Sequence, residues 1–205
     1  SPNYLNDLGK ILDPSIKVFY CGKNIVTKSL NNYSKINKIL NNKIIFWDNY
    51  YANDYCPRRL FIGPYIGRKK LKNIMINPTG LVNTDLLILD LVAANFSDKL
   101  SFDEWHKILK DHGIPKIFKK VKKFFLNPYF NSSSIKTSYK FNNDYIIALD
   151  ILLWEWKSDL SREWYPFILG LKQDLLINRN FLDYERLMKT QTAPLSEFLI
   201  KGELE

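Results

Sequence analysis

The apolar positions of the first third of the chain alternate between helical stripes and short continuous runs. Residues 4–12 have helical spacing, and residues 16–20 form an apolar run that stops near Gly22, which predicts a strand. Residues 33–40 return to helical spacing, with Ile36, Ile39 and Leu40 on one face. Residues 44–47 predict a second strand, and residues 73–76 a third that ends at Asn77-Pro78. Strands alternating with short helices imply βαβ units and a parallel sheet. Residues 54–70 are rich in turn formers and predict an irregular, site-bearing connection.

Beyond Gly80 the spacing becomes helical. Residues 82–95 carry Leu86, Leu87, Leu89, Val92 and Ala93, expected to cover one side of the sheet. Ser101 and Glu104 form a capping box that opens a helix expected to stop at Gly113, with Pro115 beyond it. Asn127-Pro128 and residues 131–134 signal a loop, where a domain boundary is expected. Residues 143–156, 161–177 and 181–189 predict further helices, and residues 195–200 a short amphipathic piece.

Composition narrows the classes. The 205 residues suffice for one or two domains with a sizeable core, and no apolar run approaches a membrane span. The net charge of +9 invites a nucleic-acid partner, but only 6 of the 30 basic residues are Arg. Arg is the better bidentate reader of bases and phosphates, so no specific nucleic-acid binding is expected. Cys21 and Cys56 lack metal-like spacing and predict free thiols, and His106 and His112 lie in a charged helical segment. Neither a metal nor a cofactor is expected.

The chemistry concentrates in Ile44-Ile-Phe-Trp-Asp-Asn-Tyr-Tyr-Ala-Asn-Asp-Tyr55 and in Arg59-Leu-Phe-Ile-Gly-Pro-Tyr-Ile-Gly-Arg68. An apolar strand ends abruptly in amides and carboxylates, as a buried parallel strand does where its C-terminal end opens into a ligand site. Carboxylates accept hydrogen bonds, amides donate and accept, and Trp and Tyr offer flat apolar faces; together these suit a sugar ring. Taken singly, Asn53-Asp54 is a turn or cap, Trp47 a core residue, and Arg58, Arg59 and Arg68 surface or structural ion pairs.

In order, Trp47-Asp48-Asn49, Ala52-Asn53-Asp54-Tyr55, Arg59-Leu60-Phe61, Gly63-Pro64-Tyr65, Gly67-Arg68 and Asn77-Pro78 resemble the β-N-acetylglucosaminidases of glycoside hydrolase family 84. That family includes protein O-GlcNAcases and bacterial enzymes labelled hyaluronidases, and the likeness extends back to Tyr4 and forward to Pro115. The resemblance implies an α/β fold: the last three strands of a (β/α)8 barrel over residues 1–126, followed by an α-helical region over 135–205. A complete barrel needs eight strands, so the chain is expected to be the C-terminal part of a larger enzyme.

The resemblance also implies a retaining exo-β-N-acetylglucosaminidase that removes terminal GlcNAc through an oxazoline, formed when the substrate's own acetamido oxygen attacks the anomeric carbon. The family's adjacent Asp-Asp pair, which orients the acetamido group and moves the proton, has no counterpart in this sequence. No catalytic residue is therefore expected here, and the isolated fragment is expected to be inactive. By the same resemblance, Asp54 grips the sugar 4- and 6-hydroxyls, Asn49 and Asn77 line the pocket, and Trp47 walls the acetamido group.

The implied partners are a GlcNAc-bearing glycoprotein or glycan and the N-terminal part of the barrel, with a homodimer through the helical region as a further expectation. The blocks around Asp54 and Tyr65 read closer to the O-GlcNAcase branch, which leans toward a cytoplasmic setting. Two other classes compete: a non-catalytic carbohydrate-binding or interaction module, and a basic protein for anionic surfaces or nucleic acid. The second rests on residues 116–125, where Lys119, Lys120, Lys122 and Lys123 interleave with apolar residues.

Overall fold

Three parallel strands, β1 (Val18–Tyr20), β2 (Ile44–Asp48) and β3 (Ile74–Ile76), form one sheet in the order β1-β2-β3. A computed structural model describes residues 3–27, 31–55, 59–126 and 142–177. The register pairs Phe19 with Ile45 and Trp47 with Met75. Ahead of β1 lies α1 (Tyr4–Ile11), and α2 (Asn31–Ile39) connects β1 to β2. The architecture is thus α/β, and each predicted strand is present with its ends moved by one or two residues.

The two faces of the sheet differ. On β2, Ile44, Phe46 and Asp48 are buried, whereas Ile45 and Trp47 on the other face are only half-buried. Strand side chains alternate, so Phe19 and Met75 share the face of Ile45 and Trp47. Phe19 is 52% exposed and Met75 43% exposed, which leaves this face apolar and open.

Downstream come α3 (Val82–Phe96), α4 (Phe102–Asp111), α5 (Phe118–Val121), a 3-10 turn (Lys122–Phe125), α6 (Asn143–Trp154) and α7 (Asp159–Ile177). Ser101 caps α4 as its sequence predicts, its side chain accepting the Glu104 N–H at 3.0 Å. On α3, Leu87, Ile88, Leu91 and Ala94 are the buried apolar residues, and the helix packs against α4 and α7. Leu86 and Leu89, expected on the sheet, are exposed. Together with Val82 and Phe96 they leave a second apolar stripe uncovered.

The apolar core lies beyond the sheet. Tyr50, Tyr51, Phe61, Ile62 and Tyr65 of the β2–β3 connection pack with Leu87, Trp105, Phe118, Phe125, Leu152 and Trp164 in one cluster. Helices α6 and α7 therefore share a core with these residues of the β2–β3 connection. The boundary expected near residues 127–134 lies outside the described residues, as do Cys56, Arg58 and the helices expected at 181–189 and 195–200.

One contact ties α7 to α3 across the molecule. The Glu163 carboxylate accepts the backbone N–H groups of Asn83 and Thr84, each at 2.8 Å, and also the Asn83 amide and the Thr84 hydroxyl. These donors sit in the first turn of α3, where backbone N–H groups lack helical partners. Burial opposes ionisation of Glu163, but the four donated bonds outweigh it and hold the carboxyl below its ordinary value. Its stabilisation is accordingly complete above pH 4.5 and is lost as pH falls through the lower folded value. Glu163→Gln is expected to cost about 1–3 kcal/mol at pH 7. It should also flatten the acid limb of a stability–pH curve, measured by urea unfolding.

Candidate active site

The irregular connection after β2 is held from within. A chain segment buried without regular structure must still satisfy its carbonyls, and here aromatic hydroxyls and arginines do so. Tyr51 Oη donates to Gly63 O at 2.9 Å, Tyr50 Oη to Pro64 O at 3.0 Å, and Trp105 Nε1 to Ile62 O at 2.9 Å. Arg59 donates to the carbonyls of Tyr50, at 3.0 Å, and of Ala52. A Cβ at Gly63 would come within 2.7 Å of the buried Phe61 ring, which would have to shift to admit it.

Asp48 is the electrostatic centre of this frame. By parity it follows Ile44 and Phe46 to the buried face, away from Trp47. Arg68 Nε donates to Asp48 Oδ2 at 3.0 Å, its Nη2 to Oδ1 at 3.3 Å, and Tyr65 Oη to Oδ2 at 2.8 Å. The arginine and aspartate side chains are 0% and 1% exposed. Arg68 also donates to Thr27 O at 2.6 Å and lies over the Tyr50 ring at 4.5 Å. It thereby joins the loop after β1 to the loop after β2. Burial raises the Tyr65 phenol well above its ordinary value, and the charge of Asp48 and its hydrogen bond add to the rise.

At the C-terminal ends of β2 and β3 a polar rim sits on this frame. Asn77 Nδ2 donates to Asn49 Oδ1 and to Asp54 Oδ2, both at 3.1 Å. Trp47 Nε1 donates to the same Asn49 oxygen at 2.9 Å. Asn49 Nδ2 is anchored on Ile25 O at 3.0 Å, and the Asn77 N–H extends the ladder to Asp48 O at 2.9 Å. Trp47, Asn49, Asp54 and Asn77 therefore form one chain of hydrogen bonds, with Asp54 exposed at its outer end. Phe19 meets the Trp47 ring edge-on at 5.7 Å. An aromatic wall, two amides and a solvent-facing carboxylate make a site that can accept hydrogen bonds from two hydroxyls and flank an apolar group.

Sequence patterning did not single out Arg68, Tyr65 and Thr27 as the groups that position this rim. Their signal was the pairing of a buried-face aspartate with an arginine twenty residues on. The histidines lie elsewhere: His112 Nε2 is 2.7 Å from Asp90, and His106 is 3.3 Å from Lys122. Among the described residues no cluster of His, Cys, Asp and Glu has the makings of a metal site.

The chain is thus an α/β frame with a polar, aromatic-walled rim at the ends of its strands. A family model described as beta-N-acetylglucosaminidase matches residues 1–104, half of the chain, and the chain belongs to this family, glycoside hydrolase family 84. Protein O-GlcNAcase of Rattus norvegicus and that of Mus musculus are each 38% identical to it over 82 residues, covering 37% of this chain and 9% of the relative. The match thus spans about a tenth of the length of those relatives. A solved structure of CpGH84B aligns over 98% of this chain and 37% of its own, at 20% identity and a TM-score of 0.48.

Proposed function

We propose that this chain supplies the sugar-binding side of a retaining exo-β-N-acetylglucosaminidase that releases terminal β-linked GlcNAc from a glycoprotein or glycan. The observation that carries the proposal is the single hydrogen-bonded rim through Trp47, Asn49, Asn77 and Asp54 in a member of this family. Asp54 accepts the sugar's 4- and 6-hydroxyls, Asn49 and Asn77 fix the ring, and Trp47 walls the acetamido group while its oxygen attacks the anomeric carbon. The proton transfers fall to an aspartate pair that this sequence lacks.

Residues 1–126 would be the last three strands and helices of a (β/α)8 barrel, with 135–205 as its helical extension. Two uncovered apolar surfaces support this arrangement. Parallel sheets are ordinarily covered on both faces, yet Phe19 and Met75 lie open beside Trp47. Val82, Leu86 and Leu89 lie open on α3. Five further strands would cover the first surface as the barrel interior, and their helices would cover the second.

The test is hydrolysis of an aryl β-N-acetylglucosaminide by this chain alone and by the chain joined to the first five barrel strands of a family 84 enzyme. Turnover is expected only in the joined protein. Turnover by this chain alone would overturn the proposal. Sugar binding without turnover in either would favour a non-catalytic carbohydrate-binding module.

A further inference from the structure

The lysine-rich run at residues 116–125 does not form the continuous amphipathic helix its spacing suggests. It breaks into α5 and a 3-10 turn; its Phe118, Val121 and Phe125 are buried in the core, and its half-buried Ile117 and Phe124 pack against that core. No apolar stripe remains to enter a membrane. Three of its lysines are engaged internally. Lys120 lies 3.7 Å from Asp144, Lys122 contacts His106 and stands over Trp105, and Lys123 donates to Tyr145 Oη at 2.7 Å.

The others face a cavity. Between α4 and α5 lies a hollow of about 320 Å³ lined by Leu109, Ile114, Pro115 and Phe118. Lys110, Lys116 and Lys119 stand on its rim, exposed and without an ion pair among the described residues. Lys107, also on the rim, is 3.8 Å from Glu104. No carboxylate lines the hollow. An apolar floor of this size admits one large side chain, and the separated cations around it match carboxylates spaced along a strand of peptide. A flat basic track for a nucleic-acid backbone would need neither the hollow nor its apolar floor.

We infer that this hollow docks an acidic peptide segment of a protein partner, seating one bulky apolar side chain between carboxylates that meet Lys110, Lys116 and Lys119. The surface lies on the helical side of the chain and is independent of the sugar-binding rim.

Fluorescence anisotropy with a labelled peptide of glutamates around one phenylalanine tests this on the full 205-residue chain. Saturable binding is expected. It should weaken at least about tenfold when the phenylalanine becomes glycine, and by a similar factor in Lys110→Glu/Lys119→Glu. Lys110→Gln/Lys119→Gln, a milder pair of exposed changes, should weaken it less while leaving the melting temperature unchanged. Equal affinity for the glycine peptide would reduce the effect to bulk charge and overturn the inference. Tighter binding to duplex DNA or to anionic phospholipid vesicles than to the peptide would also overturn it.

Discussion

Replacing Arg68 by methionine is expected to destabilise the chain by about 3–5 kcal/mol, the usual cost of stripping one partner from a buried ion pair. The substitution leaves the Asp48 carboxylate in the interior with the Tyr65 hydroxyl, at 2.8 Å, as its remaining side-chain donor among the described residues. It also frees the Thr27 carbonyl, which Arg68 reaches at 2.6 Å, and uncouples the loop after β1 from the loop after β2. Such a loss is a large part of the roughly 5–15 kcal/mol that holds an ordinary domain together. Asp48→Asn placed in the Arg68→Met background should recover part of it, because a neutral amide costs less to bury than a carboxylate. The double-mutant cycle, read by urea unfolding with tryptophan fluorescence, should return a coupling above about 1 kcal/mol. If Arg68→Met proves neutral, the pair is not what holds the connection.

Much of this architecture is legible from local rules. The run at residues 44–47 is too short and too apolar for an exposed helix, and β2 lies there. Ser101 and Glu104 announce a helix start because a hydroxyl three residues ahead of an N–H satisfies it, and the structure shows that bond. Where several neighbours compete for the same residues, local rules lose. Residues 54–70 look like a surface loop by their turn formers, yet Phe61, Ile62 and Tyr65 are core, and the carbonyls of Ile62, Gly63 and Pro64 find tryptophan and tyrosine donors there. Helix α3 is apolar nearly all round, so periodicity alone does not choose its buried face; packing against α4 and α7 selects Leu87, Ile88 and Leu91.

The rim shows the same division. The resemblance to the family, in its order of motifs, brought Trp47, Asn49, Asp54 and Asn77 forward, but their spacing of up to thirty positions carries no geometry. The parallel register supplies it. Trp47 pairs with Met75 and Asp48 with Ile76, so the residues that follow, Asn49 and Asn77, emerge side by side. Parity then separates Asp48 from its neighbours in sequence. The same strand end thus delivers one carboxylate to a buried arginine and leaves another, Asp54, for solvent or a ligand.

That separation makes Asp54 the sharpest test of the sugar-binding proposal. Asp54→Ala is expected to lower kcat/KM on an aryl β-N-acetylglucosaminide by roughly 30- to 1000-fold in the protein completed with the remaining barrel strands. The loss corresponds to about 2–4 kcal/mol, the scale of one or two hydrogen bonds to an ionised acceptor. Folding stability should change by less than about 1 kcal/mol, because Asp54 is exposed and, among the described residues, accepts a single long hydrogen bond from the Asn77 amide. Asn77→Asp sharpens the contrast. It replaces the donor that bridges Asn49 and Asp54 with a carboxylate facing a carboxylate, so the rim should open and sugar affinity should fall at neutral pH. A merely structural Asp54 would produce the opposite pattern, with stability falling and kcat/KM per folded molecule unchanged.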